Sequence, residues 1–171
     1  MTRAAIMLCL ALLAVPAARA APVTLPELKL MLAEHEGEAL ETDLEDGRPL
    51  ITGEMQEQVF EARLTDCRGP EPSCEAVRFS ACHDLADHSR IEALEIANDW
   101  NRGERPGVLY ASEEWFGQAL CVKLRQAFPG ETAFGADQIA VWQIELGDFL
   151  QRIEDAVAEK QAANALDSGA D

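Results

Sequence analysis

The chain has 171 residues, with 31 Asp+Glu against 14 Lys+Arg and a formal net charge of −17 at pH 7. Nucleic acid and anionic lipid are disfavoured as partners, because both are bound by neutralising phosphates with Lys and Arg. The length fits one domain with a single core, and a strongly acidic surface keeps an exported protein soluble.

Residues 1–20 read MTRAAIMLCLALLAVPAARA. Arg3 precedes an apolar run from Ala4 to Val15, and the stretch ends in Ala18-Arg19-Ala20, the small-x-small pattern accepted by a signal peptidase. The run falls short of the ~20 apolar residues that span a bilayer, and no later segment is apolar enough to do so. The expectation is a secretory signal cleaved near Ala20 and a periplasmic or secreted product. Without Arg3 and Arg19 the balance becomes 12 − 31 = −19.

Thr24-Leu25-Pro26-Glu27 has the form of a capping box opening a short helix with Leu28, Met31 and Leu32 on one face, ending before Gly37. Strand-like pieces follow. Ala39–Leu44 and Pro49–Thr52 flank the turn Glu45-Asp46-Gly47-Arg48. Gln58–Thr65 and Glu75–Ala81 alternate, the latter with Val77 and Phe79 towards the core. Ser89–Asn101 returns to helical spacing, its apolar face formed by Ile91, Leu94, Ile96, Ala97 and Trp100. After the breakers at residues 102–107, Val108–Ala111 and Phe116–Leu124 read as two strands around a tight turn. The last helix carries Ile139, Trp142, Leu146, Phe149, Ile153 and Val157. Residues 161–171 form an acidic tail without apolar periodicity, expected to be disordered. Strands in runs joined by short turns predict an α+β domain over residues 21–160: an antiparallel sheet with N-terminal, middle and C-terminal helices.

Cys67, Cys74, Cys82 and His83 fall within one short stretch. Haem attachment needs Cys-x-x-Cys-His, but Phe79 stands where the first cysteine belongs. A zinc site needs paired short spacings, whereas the loop between Cys67 and Cys74 holds two prolines. Cys82, His83, Asp84 and His88 still offer side chains for a small metal-binding or thiol redox protein. Against a catalytic Cys82–His83 pair, neighbours on a strand point to opposite faces. A Cys67–Cys74 disulfide would close a hairpin loop, worth about 2–3 kcal/mol by loop entropy. Four cysteines allow three pairings and the sequence does not choose among them. Cys82 and Cys121 each lie on the outer side of a strand, as a bridge requires if those strands are neighbours.

The chain resembles the YbjN-domain family of bacterial proteins, whose members are also labelled sensory transduction regulators. The resemblance spans about residues 25–155. It is carried by Gly37, by CRGPEPSCEAVRFSAC, by the Asn-x-Trp-Asn element Asn98, Trp100 and Asn101, and by Gly135 with Trp142 and Phe149. Arg105-Pro106 and the compact segment from Ala111 to Gly117 depart from it. The resemblance implies a fold similar to type III secretion chaperones, which often dimerise, and no catalytic residues. From its own position, Trp100 reads as core and Asn101 as a helix C-cap.

The preferred reading is an exported, non-enzymatic module that binds a protein partner, with Trp115 and Phe116 as a candidate partner surface. No cofactor is expected. A hydrolase is the weakest reading, since Gly-x-Ser-x-Gly, His-Glu-x-x-His and a Gly-rich phosphate loop are all missing.

Overall fold

The computed structural model describes residues 22–45, 48–69, 73–85, 88–112, 120–129 and 134–168. The signal segment, Asp46, Gly47, Trp115, Phe116 and the last three residues lie outside them.

The first helix starts where its capping chemistry dictates. Strand β1 (Val23–Thr24) runs into α1 (Leu25–Glu34). The Glu27 amide donates to Thr24 Oγ1 at 3.4 Å and the Thr24 amide to Glu27 Oε2 at 2.9 Å, closing the predicted box. Helix α1 ends before Gly37, whose amide donates to Leu32 O. A Cβ at Gly37 would meet that oxygen at 2.8 Å, so the chain can turn back this closely only over a glycine.

Four strands follow, β2 (Glu38–Glu45), β3 (Arg48–Met55), β4 (Gln58–Arg68) and β5 (Ser73–Asp84). The turn from β3 to β4 rests on Gln56 and Glu57, both at positive φ (54° and 61°). Two successive positive φ values suit the tight hairpin twist but strain non-glycine residues. Gln56 Nε2 donates to Gln143 O at 3.2 Å, which anchors the turn on the last helix. Helix α2 (Arg90–Asn101) opens on a second capping box, Ser89 with Glu92. Those two bonds, with Lys160, hold the Glu92 carboxyl down at about 2. Strands β6 (Val108–Ser112) and β7 (Cys121–Phe128) and helix α3 (Ala136–Ser168) complete the chain.

The fold class is α+β: a seven-stranded sheet in the order β2-β3-β4-β5-β7-β6, with β1 added to β5, and antiparallel at every pairing. All three helices lie against one face. Phe60, Ala62, Leu64, Val77, Phe79, Val122 and Leu124 from the sheet meet Leu28, Leu32, Trp100, Ile139, Trp142 and Phe149 in one buried cluster.

Three expectations need correction. Ile91 and Leu94 are exposed (69% and 42%), while Ala93, Ile96, Ala97 and Trp100 are buried. Only the latter four follow the i, i+3, i+4, i+7 stripe, and the two aliphatic residues sit beside it. Strand β7 leaves out Leu120, starts at Cys121 and runs past Leu124 to Phe128, while the expected start at Phe116 lies outside the described residues. The helix expected to end near Lys160 runs to Ser168, through alanines that favour helix without needing an apolar face.

Candidate functional site

The cysteines act as staples. Cys67 is bonded to Cys74 and Cys82 to Cys121. The first pair sits directly cross-strand, and the second runs diagonally, since Cys82 is opposite Lys123 and Cys121 opposite Asp84. Cys82 therefore offers no thiolate. His83 points to the other face, its Nδ1 3.3 Å from Gln58 Oε1, and burial lowers its pKa. Among the described residues no group of three or more His, Cys, Asp or Glu is placed to hold a metal ion, so Cys82, His83, Asp84 and His88 do not converge. Two disulfides fit an oxidising compartment. Among the described residues no helix is long and apolar enough to cross a membrane.

The Asn-x-Trp-Asn element ties α2 to the edge of the sheet. Trp100 is buried, as expected, and its Nε1 donates to Gly107 O at 2.8 Å. Arg105 lies 4.1 Å over its ring and donates to Asp148 at 2.7 Å. Asn101 does not act as a left-handed cap. It is the last helical residue, and Arg102 at the C-cap is right-handed. Its Nδ2 donates to Leu109 O at 2.7 Å while its Oδ1 accepts from Leu109 N at 3.0 Å. The side chain thus pairs with the backbone of edge strand β6 as a neighbouring strand would, and blunts that edge. Asn98 is exposed. An Asn101→Asp variant faces a carboxylate oxygen towards the Leu109 carbonyl. It should lose about 2 kcal/mol, the one bond from Nδ2 plus the cost of a carbonyl left facing a carboxylate, read by urea unfolding, while the Leu109 amide still donates to Oδ1.

Glu145 lies behind this clamp and is almost fully buried (6% exposed). Burial raises its carboxyl pKa, against the opposing pull of Arg105 and the Gly107 amide. A carboxyl raised in the folded state binds its proton more tightly there than when unfolded. Its contribution is therefore most favourable below the ordinary Glu pKa and is lost as pH rises through the folded value. Glu145→Gln should raise the melting temperature at pH 8 and leave it nearly unchanged at pH 4. An equal shift at both would contradict this account.

The face away from the helices has no described element packed on it, the usual situation of one-sided antiparallel sheets. Its register gathers charge. Arg63 of β4 stands opposite Arg78 of β5, and on β7 Arg125 and Lys123 stand opposite Ser80 and Cys82. Arg63 pairs with Glu45 and lies 3.7 Å from Glu61. Among the described residues, neither Arg78 nor Arg125 has an acidic partner, and the buried Nε of Arg78 has no hydrogen-bond partner. Burial, then the charges of Arg125 and Arg63, lower the Arg78 pKa. Burial lowers that of Lys123. Like charges opposite each other on a sheet are destabilising, so the cluster is held at a cost. The only local sign in the sequence is the Lys123-Leu124-Arg125 alternation on β7, and the other members meet it only through strand register.

Among the described residues, two concavities lie elsewhere. One, about 200 Å³, runs between α2 and α3 past His88, Glu95 and Asp99. It is bridged by Arg152–Asp99 and Lys160–Glu92 ion pairs at 3.1 Å, which engage its Arg and Lys. The other borders Gln56, Gln143 and Ile144 on α3. Comparison of the chain with family models, curated proteins and solved structures found no match.

Proposed function

We propose that this is an exported, non-enzymatic protein-binding module of the YbjN-domain kind, chaperone-like or regulatory, that receives its partner on the open sheet face. The observation that carries the reading is that face itself: a broad antiparallel surface stiffened by two disulfides, with the described helices all on the opposite side. Its area supports the reading too. Six strands spaced ~4.8 Å apart and roughly eight residues long present on the order of 600 Å². A standard interface takes about 800 Å² per partner. Exposed Val59, Val108 and Tyr110 add apolar contact around the charged centre. Trp115 and Phe116, in sequence between β6 and β7 and outside the described residues, belong to the same reading as candidate partner contacts. The similarity to type III secretion chaperones and the homodimer belong to the same reading.

A photo-crosslinking residue at Thr52 or Tyr110 of the exported protein should give a discrete protein adduct, weakened by Trp115→Ala. The same probe at exposed Leu30 on α1 is the control. Identical adducts from all three positions, or none from the sheet, would sink the proposal.

A further inference from the structure

We infer that the cation cluster of β4, β5 and β7 docks an acidic, extended segment of a partner polypeptide, with carboxylates at alternate positions gripped by Arg78 and Arg125. This rests on the protein-binding reading and specifies its partner.

The charge distribution runs against the chain's composition. Asp and Glu outnumber Lys and Arg by 31 to 14, yet Arg48, Arg63, Arg78, Lys123 and Arg125 share one sheet face. An anion laid across them would relieve the like-charge repulsion of Arg63 and Arg78, which is greatest when no ligand is present. Arginine suits that task, because its planar fork takes a carboxylate through two parallel hydrogen bonds.

The surroundings narrow the class of anion. Small ligands are held in concave sites, and the two concavities among the described residues lie off this face. Long polyanions need a continuous track of cations. Here the cluster is bordered by Glu41, Asp43 and Glu54 on β2 and β3 and interrupted by Glu61. Those carboxylates repel a duplex or an anionic membrane but leave room for a short acidic run. On β6, Val108 opposite Arg125 and Tyr110 opposite Lys123 are exposed (54% and 37%) and give apolar purchase beside the charges.

Spacing selects the alternation. Arg78 is opposite Ala127, so Arg125 is its diagonal neighbour. Diagonal residues of an antiparallel pair lie about 7–8 Å apart. In an extended peptide, side chains two residues apart lie on one face at roughly 6.8 Å. A Glu-x-Glu strand therefore presents two carboxylates at about the spacing of the two arginine positions on the sheet. An adjacent Glu-Glu pair, whose side chains leave an extended chain on opposite faces, does not.

The test is a titration of the full exported protein with a short peptide alternating Glu and Thr, followed by NMR at the arginine Nε–H groups. Comparators are a peptide of the same composition built on a Glu-Glu-Thr-Thr repeat, which has no two acids at alternate positions, inorganic polyphosphate, and vesicles rich in anionic lipid. Saturable shifts at Arg78 and Arg125 are expected, weakening with salt. Arg125→Glu, at an exposed position, should lower the affinity about tenfold or more, as loss of a charge-assisted contact implies. Arg102→Glu, on the exposed end of α2, should leave it unchanged.

Equal binding of the alternating and Glu-Glu-Thr-Thr peptides, or equal affinity of the Arg125→Glu protein, would overturn the proposal. So would polyphosphate or vesicles binding where the peptide does not, or concentration-dependent self-association abolished by Arg125→Glu. A discrete crosslinked adduct from Thr52 or Tyr110 that the peptide fails to displace would sink the acidic-segment inference alone. Absence of any such adduct would sink the sheet-face reading beneath it.

Discussion

Phe79→Ala is expected to destabilise the protein by about 4 kcal/mol, in the range found for burying a void where an aromatic ring stood. Phe79 is fully buried and occupies the centre of the core. Its ring stacks on Trp142 at 5.1 Å and on Phe134 at 6.1 Å, and meets Phe128 edge-on at 5.9 Å. Phe60 lies 6.3 Å away on the next strand. Those neighbours come from β4, β7, α3 and the segment before it, so no single element can move in to close the hole. Aromatic pairs add about 0.5–1.5 kcal/mol each beyond area burial, although losses that share one ring do not sum. Against the ~5–15 kcal/mol stability of a typical domain, the variant should sit near the edge of folding at 37 °C. Phe79→Leu should cost less than half as much, because most of the volume remains. Urea unfolding followed by Trp fluorescence and far-UV circular dichroism measures both. A loss below about 1.5 kcal/mol for Phe79→Ala would mean that the ring cluster is not the keystone of the core.

This centre was legible in the sequence, because it rests on periodicity. Val77 and Phe79 alternate out of one strand, and Ile139, Trp142, Leu146 and Phe149 step by three and four along one helix. What escaped the sequence depends on contacts between distant segments. The turn at Gln56-Glu57 carries none of the usual glycine or asparagine signals, since its positive φ values are held by the bond from Gln56 to α3. Asn101 looked like a helix cap because that is what asparagine does locally. Its actual partner, Leu109, becomes visible only when β6 is placed alongside.

The cation cluster is the extreme case of the same limit. Arg63 and Arg78 are scattered through a chain dominated by acids, and only Lys123 and Arg125 stand together, in an acid-free stretch from residue 116 to 130. A shift of the β4–β5 register by one residue would send Arg78 to the opposite face and dissolve the site. The pairing of Phe60 with Ala81 and of Leu64 with Val77 prevents that shift, because the same slip would expose the core. The apolar pattern on one face therefore fixes the charged pattern on the other.

Replacing Cys82 and Cys121 together with alanine should cost about 4 kcal/mol, the closure entropy of a loop of their 39-residue separation. The Cys67 and Cys74 pair, only 7 residues apart, should cost about 2.5 kcal/mol by the same relation. Local structure widens the difference. The hairpin of β4 and β5 is already held by its own register, so the short bridge closes what the ladder closes anyway. Strands β5 and β7 are joined through α2 and β6, and the longer bridge is a covalent tie across that seam. Cys74 and Cys82 stand eight positions apart on β5, roughly 26 Å at a strand rise of ~3.3 Å, so the two losses should add. Guanidinium unfolding of the wild type, the two paired variants and the four-alanine protein measures this. Equal losses for both pairs would show that loop length does not set the stabilisation. The seam also carries a functional consequence, because Arg78 and Arg125 lie on its two sides. If the bridge maintains their separation, the Cys82/Cys121 variant should bind the alternating Glu peptide more weakly even where it is fully folded. The Cys67/Cys74 variant should bind it as the wild type does.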